Sequence, residues 1–163
     1  MPLSIHLAIH FILALLVGYF LGRRYRLLSV GLSAGIAGGF FIDLDHVLEY
    51  FLVFGWQFDP ARFLMGYQFL ASGLIRVWFH AWEYFPILMV LAWIMRSRPV
   101  LKAAIITLAW SGAVHLASDS LINNYPVRNY SLLYRYRQDF KAENLLNEEQ
   151  YSKYQAGRIY YGF

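Results

Sequence analysis

The sequence predicts an all-α fold, a polytopic membrane helix bundle with about four transmembrane helices plus interfacial helices, and three observations carry that expectation. Of the 163 residues, 59% are hydrophobic and 19% aromatic, while only 15% are charged. A soluble domain carries roughly a quarter charged residues, so this chain lacks the polar surface to cover itself in water. Its mean hydropathy is +0.42. The apolar residues are also gathered into long uncharged runs bounded by charges, several near the ~20 residues that cross a hydrocarbon core.

Composition excludes further classes. With no cysteine in the chain, there is no disulfide framework, cysteine zinc ribbon or thiolate nucleophile. Any metal must be held by histidine and carboxylate. The formal charge of +4 raises the question of nucleic acid. Lysine and arginine beside apolar runs read more simply as topology signals and headgroup contacts, so no nucleic-acid partner is expected.

The first expected span covers residues 2–22 and stops at Arg23-Arg24-Tyr25-Arg26. It is too long, and lacks the basic lead and small-residue site, for a cleavable signal, and it reads as a retained span. The second covers residues 27–42, where Gly31, Gly35 and Gly39 form a smooth stripe that lets another helix approach closely. It ends in Asp43-Leu44-Asp45-His46. The third covers residues 77–95 and is interrupted by His80, Glu83 and Pro86; Trp78, Trp82 and Tyr84 at its start suit an aromatic belt. The fourth covers residues 99–118, with Lys102 able to snorkel to the interface.

Between the second and third spans, residues 47–76 are aromatic but broken by Gly55, Asp59-Pro60, Gly66 and Gly73, with Glu49, Arg62 and Arg76 adding charge. They predict short helices on or dipping into the interface. Residues 121–163 carry eight tyrosines and most of the remaining charge. One helix is expected there, over roughly residues 138–154. The expected organisation is a transmembrane bundle with the polar site over residues 1–122 and an interfacial aromatic tail over 123–163 that is not an independent domain.

The connections Arg23–Arg26 and Arg96–Arg98 are the densest basic clusters beside spans, and the positive-inside rule assigns both to the cytoplasmic side. The alternation of four spans then brings His6, Asp43, Asp45, His46, His80, Glu83, His115 and Asp119 to the opposite side. All five histidines, counting His10 one turn below His6, fall within or near one leaflet. Ionisable groups in a span are costly alone and normally find partners or serve a function. The expected location is the inner (plasma) membrane with the site extracytoplasmic, although the tail brings six Lys and Arg to that side.

His115 and Asp119, at i and i+4, stack on one helix face and can hold the same cation. His80 and Glu83, at i and i+3, can do likewise. Asp43 and Asp45 come together where a helix frays into a turn, and the carboxyl ends of the second and fourth spans favour a cation through the helix dipole. Asp43, Asp45, Glu83 and Asp119 would repel one another in a low-dielectric setting, with only Arg76 nearby to offset them. One or two divalent metals resolve that repulsion, and imidazole with carboxylate suits zinc, with manganese or iron as alternatives. The expected metal ligands are therefore His6, Asp43, Asp45, His46, His80, His115 and Asp119. Glu83 and Asp45 are the candidate catalytic carboxylates, Glu83 relaying a proton from outside the metal shell. His6 ranks above His10, which could equally pack or hydrogen-bond.

At His6, Phe41-Ile42-Asp43-Leu44-Asp45-His46, His80 and His115-Leu116-Ala117-Ser118-Asp119, the chain resembles the bacterial membrane-bound metal-dependent hydrolase family, related to the zinc-dependent phospholipase C group. The likeness covers the order and rough spacing of motifs up to about Asn123. The family's central His-Arg-Gly-x-Thr-His-Ser corresponds to Ile75-Arg76-Val77-Trp78-Phe79-His80-Ala81, which keeps the arginine and second histidine but lacks the first histidine and the threonine. Glu83, one turn on, stands where it can supply what is missing. The resemblance implies a helical membrane hydrolase with a metal site.

The function expected is thus an integral membrane metal-dependent hydrolase of a phosphoester or other amphiphilic substrate, with membrane lipid as its surroundings. The alternatives are a b-type haem anchor, which needs paired histidines facing across a bundle, and a non-enzymatic ion-binding membrane protein or transporter.

Overall fold

A computed structural model describes residues 3–163, and side chains from residue 5 onward. Its described elements are helical apart from one isolated antiparallel bridge, Leu74 with Lys141. Three helical runs are long and apolar enough to cross a membrane: Ile5–Tyr25, Leu28–Phe54 and Pro99–Ile122. The chain divides into two compact units, each described by itself: residues up to Ile42 with Ala81–Val127, and Asp43–His80 with Arg128–Phe163.

The first unit is built from α1 (Leu3–Tyr25), α2 (Leu28–Gly39), α6 (Tyr84–Ile94) and α7 (Pro99–Ile122). The turn at Arg26 and Leu27 is too short for anything but an antiparallel pair, and α1 packs along α2. Glycine makes that packing close. A Cβ on Gly18 would lie 2.7 Å from the Gly31 carbonyl oxygen, and one on Gly35 would lie 2.8 Å from Gly18 Cα. One on Gly38 would strike the Leu108 carbonyl oxygen, so α7 approaches α2 just as closely. Facing this glycine stripe, α7 buries Ala103, Thr107, Ser111, His115 and Asp119, one residue every four.

The third expected span is shorter than its apolar run. Residues 77–83 form successive turns, with Val77 at φ 31° and bonds from His80 N to Val77 O and from Tyr84 N to Ala81 O. Pro86 supplies the reason. It has no N–H to donate, so a helix accommodates it in its first turn, and α6 begins two residues before it. With the 3₁₀ turn Met95–Ser97 the helical stretch Tyr84–Ser97 remains below spanning length, while Pro99 opens α7.

The second unit holds α3 (Leu44–Phe54), α4 (Pro60–Leu64) and α5 (Tyr67–Ser72), the short helices expected over residues 47–76, together with α8 (Leu132–Arg137), α9 (Ala142–Leu145) and α10 (Glu148–Tyr161). Asp59 caps α4 by accepting from Ala61 N and Arg62 N, and Gly73, at φ 72°, ends α5. On α3 the polarity is inverted: Asp45, Glu49 and Tyr50 are buried, whereas Leu44, Leu48 and Leu52 are exposed. An exposed leucine row beside a buried acidic row is what a helix facing lipid requires. The single tail helix expected over residues 138–154 is replaced by three. Asp139 and Phe140 adopt left-handed φ values of 54° and 58°, which break the helix, and the Asn147–Gln150 capping box restarts it at Glu148.

The glycine stripe yields a stability prediction. Gly35→Ala should destabilise the purified protein by about 1–3 kcal/mol, because the added methyl meets backbone that cannot yield. Gly157→Ala, whose Cβ meets only the flexible Leu70 side chain, should leave the melting temperature unchanged or raised. Thermal unfolding in nanodiscs distinguishes the two.

Candidate metal centres

In the first unit, α1 presents His6 and His10 one turn apart, and α7 presents His115 and Asp119 one turn apart. Three imidazoles surround one carboxylate. Nε2 of His6 lies 3.4 Å and Nε2 of His10 lies 3.2 Å from Asp119 Oδ1, while Nε2 of His115 lies 3.4 Å from Asp119 Oδ2. His10, His115 and Asp119 are buried. His6, His10 and Asp119 each offer a ligand atom within 4.8 Å of the others.

The glycine contact of α2 with α7 orients this group. Ser111 Oγ donates to the Gly35 carbonyl at 2.7 Å, and one turn on the Gly39 carbonyl lies 3.0 Å from His115 Nδ1. A carbonyl only accepts, so His115 donates from Nδ1 and turns Nε2 to Asp119. The Nδ1 atoms of His10 and His115 are in hydrogen-bond contact. His10 Nε2 faces Asp119 on the other side of its ring. His10, ranked below His6 on sequence, thus sits fully buried at the centre of the group. Its i+4 spacing from His6 was the signal available.

In the second unit, the turn Phe41–Asp43 and the start of α3 present Asp43, Asp45 and His46, and the loop before α6 presents His80. His80 stands between two carboxylates: its Nδ1 lies 2.9 Å from Asp45 Oδ2 and its Nε2 lies 3.2 Å from Asp43 Oδ1. His46 Nε2 lies 3.8 Å from Asp43 Oδ1, and Asp43, His46 and His80 offer a second set of ligand atoms within 4.8 Å of one another. Asp45 also accepts from Phe79 N at 2.8 Å, while its Oδ1, fully buried, has no hydrogen-bond partner. Asp45 is placed behind the imidazole as an orienting carboxylate, the arrangement that fixes Nδ1–H and frees Nε2 for a cation. Burial disfavours the His80 imidazolium, but hydrogen bonds and Coulomb attraction to Asp43 and Asp45 outweigh it and raise its pKa to about 10.

A fifth carboxylate enters the balance. Glu49, one turn beyond Asp45 on α3, is fully buried and takes Arg76 by Nε and Nη2, both at 2.8 Å. Arg76 is therefore spent on Glu49 and does not offset the four carboxylates weighed on sequence. The i+4 spacing from Asp45 was visible, but Arg76 lies 27 residues from Glu49 and only the fold pairs them. Glu83 is half-buried at the amino end of α6 and lies outside the ligand sets of described residues.

The spacings fit a metal. A charge-assisted N–H···O bond spans about 2.7–2.9 Å, whereas two ligands bound tetrahedrally at about 2.0–2.1 Å stand about 3.4 Å apart. His80 to Asp45 has the first length; His6 and His10 to Asp119 Oδ1, at 3.4 and 3.2 Å, lie nearer the second. Buried imidazole and carboxylate groups of this kind could hold a metal ion. Comparison with family models, curated proteins and solved structures found no match for the chain.

Two predictions follow from the charges. Arg76→Ala, which leaves Glu49 buried and uncompensated, should cost about 3–5 kcal/mol, with Arg76→Ala/Glu49→Gln recovering much of it in denaturation experiments. In metal-free protein His80 should remain an imidazolium at pH 8 by nitrogen NMR. Because its pKa is raised above the unfolded value, the stability it contributes is fully present below about pH 6.5 and is lost as pH rises through about 10.

Proposed function

We propose that the chain is an integral membrane metal-dependent hydrolase acting on a phosphoester or other amphiphilic substrate at the lipid interface. The observation that carries this reading is the pair of Nε2 atoms, of His6 and His10, held at ligand-to-ligand spacing on Asp119 Oδ1, in a chain whose described residues include three helices long and apolar enough to cross a membrane. His6, His10 and Asp119 would hold one divalent ion, and Asp43, His46 and His80 would hold another. Each set has three protein ligands, which leaves a position open as catalytic sites do and structural ones do not. Zinc is the metal this donor set suits. A bound ion would supply Lewis acidity and a water acidified toward neutral pH.

The chain's own groups do the rest. Asp45 and the Gly39 carbonyl hold His80 and His115 by Nδ1, which keeps their Nε2 atoms aimed. Glu83, outside both ligand sets, is the carboxylate for proton relay. Haem is disfavoured by a specific distance: the His10 and His115 rings meet edge to face with centroids 3.9 Å apart, too close to admit a porphyrin between them.

Elemental analysis of purified protein should find one to two equivalents of metal. Asp119→Asn and His80→Ala should each reduce it, and together should abolish it. A content unchanged by these substitutions would overturn the site. Phosphoester turnover should be lost on chelation and restored by zinc; bound metal with no turnover of any lipid phosphoester or ester would instead favour an ion-binding protein without chemistry.

A further inference from the structure

We infer that Arg135, in the tyrosine-rich tail, is a positioning residue for His80, an inference that rests on the metal reading of the Asp43, His46 and His80 cluster. Arg135 is 1% exposed, and its Nη2 donates to the His80 carbonyl at 2.8 Å. Burying a guanidinium is costly, so a fully buried arginine that spends Nη2 on a main-chain carbonyl signals a geometry worth holding.

The rest of that segment grips the same loop. His80 sits at the end of residues 73–80, which contain no helix and would be mobile if unsupported. The Gly73 carbonyl accepts from Ala142 N at 2.9 Å, Ile75 N donates to the Phe140 carbonyl at 2.8 Å, and Leu74 bridges Lys141. The Trp78 ring meets the Phe140 ring at 5.4 Å. All of these partners lie within residues 135–142. Two successive non-glycine residues there, Asp139 and Phe140, are left-handed, and Phe140 N donates back to the Arg135 carbonyl at 2.8 Å. Strain of this kind persists only where the surroundings over-determine it.

The loop is thus held at Gly73, Leu74 and Ile75 by backbone pairing, at Trp78 by ring contact, and at His80 by Arg135. The last hold sets the imidazole. Asp45 fixes the ring's rotation through Nδ1, and Arg135 fixes the backbone from which the ring projects. Together they determine where Nε2 stands relative to Asp43.

The test uses the full chain in nanodiscs carrying Asp119→Asn, so that zinc binding reports on the second cluster. In that background Arg135→Met should weaken zinc affinity about 10–100-fold, the usual effect of losing an outer partner of a ligand. Arg135→Lys keeps the buried charge but loses the planar fork and should weaken it less, which preserves the readout if the methionine variant does not fold. Lys153→Ala, at an exposed pair with Glu149, should leave affinity unchanged. A lowered melting temperature with unchanged zinc affinity in both Arg135 variants would make the residue merely structural and overturn the inference. A parent that takes up no zinc, with His80→Ala without effect, would instead remove the metal reading of this cluster and the inference with it.

Discussion

The close approach of glycine backbones is the constraint on which the first unit depends. Gly18, Gly31, Gly35 and Gly38 leave no room for a Cβ between α1 and α2 or between α2 and α7. Small residues at helix contacts are what membrane bundles use, because lipid offers apolar surface as readily as another helix does. Here the contact also exposes backbone carbonyls to a neighbour's side chains. Ser111 reaches the Gly35 carbonyl, and His115 reaches that of Gly39. The packing that joins the helices therefore also assigns a proton to His115 Nδ1 and directs Nε2 to Asp119.

Polarity is distributed inside out. Among the largest fully buried side chains are Arg135, His10, His80, His115, Glu49 and Asp45, while leucine, isoleucine, phenylalanine and tryptophan dominate the exposed set. In water this would be untenable, since an unpaired buried charge is costly and an apolar surface of this extent drives association. In a bilayer both halves of the pattern make sense. Buried Glu49 is paired with Arg76, and buried Asp45, with half-buried Asp43, is paired with His80. Asp119 has three imidazoles around it. Groups so placed could hold a divalent ion, with His6 and His10 at 3.4 and 3.2 Å from Asp119 Oδ1.

Much of the candidate site was legible as linear spacing. His115 with Asp119, and Asp43, Asp45 and His46 at a helix end, declared themselves because i+4 partners share a face and because carboxylates inside apolar runs need a reason to be there. His10 was visible but underweighted, since its partner Asp119 lies more than a hundred residues on. Glu49 and Arg76 stand in the sequence only as charges in an aromatic stretch, whereas the fold pairs them and buries Glu49. Boundaries suffered where a proline or a left-handed residue intervened: Pro86 delayed α6, and Asp139 with Phe140 broke the tail helix.

Composition and periodicity by themselves determined the class of the molecule, a helical chain with long apolar helices, and named most of the imidazoles and carboxylates that the fold gathers. They could do so because burial in lipid imposes a length and a charge rule on each segment independently of the others. Which atom of each side chain faces which partner was decided only by tertiary structure. A tautomer at His115, an orienting role for Asp45 and a tail arginine on the His80 carbonyl all depend on contacts between residues distant in the chain, and such contacts leave no periodic trace in the sequence.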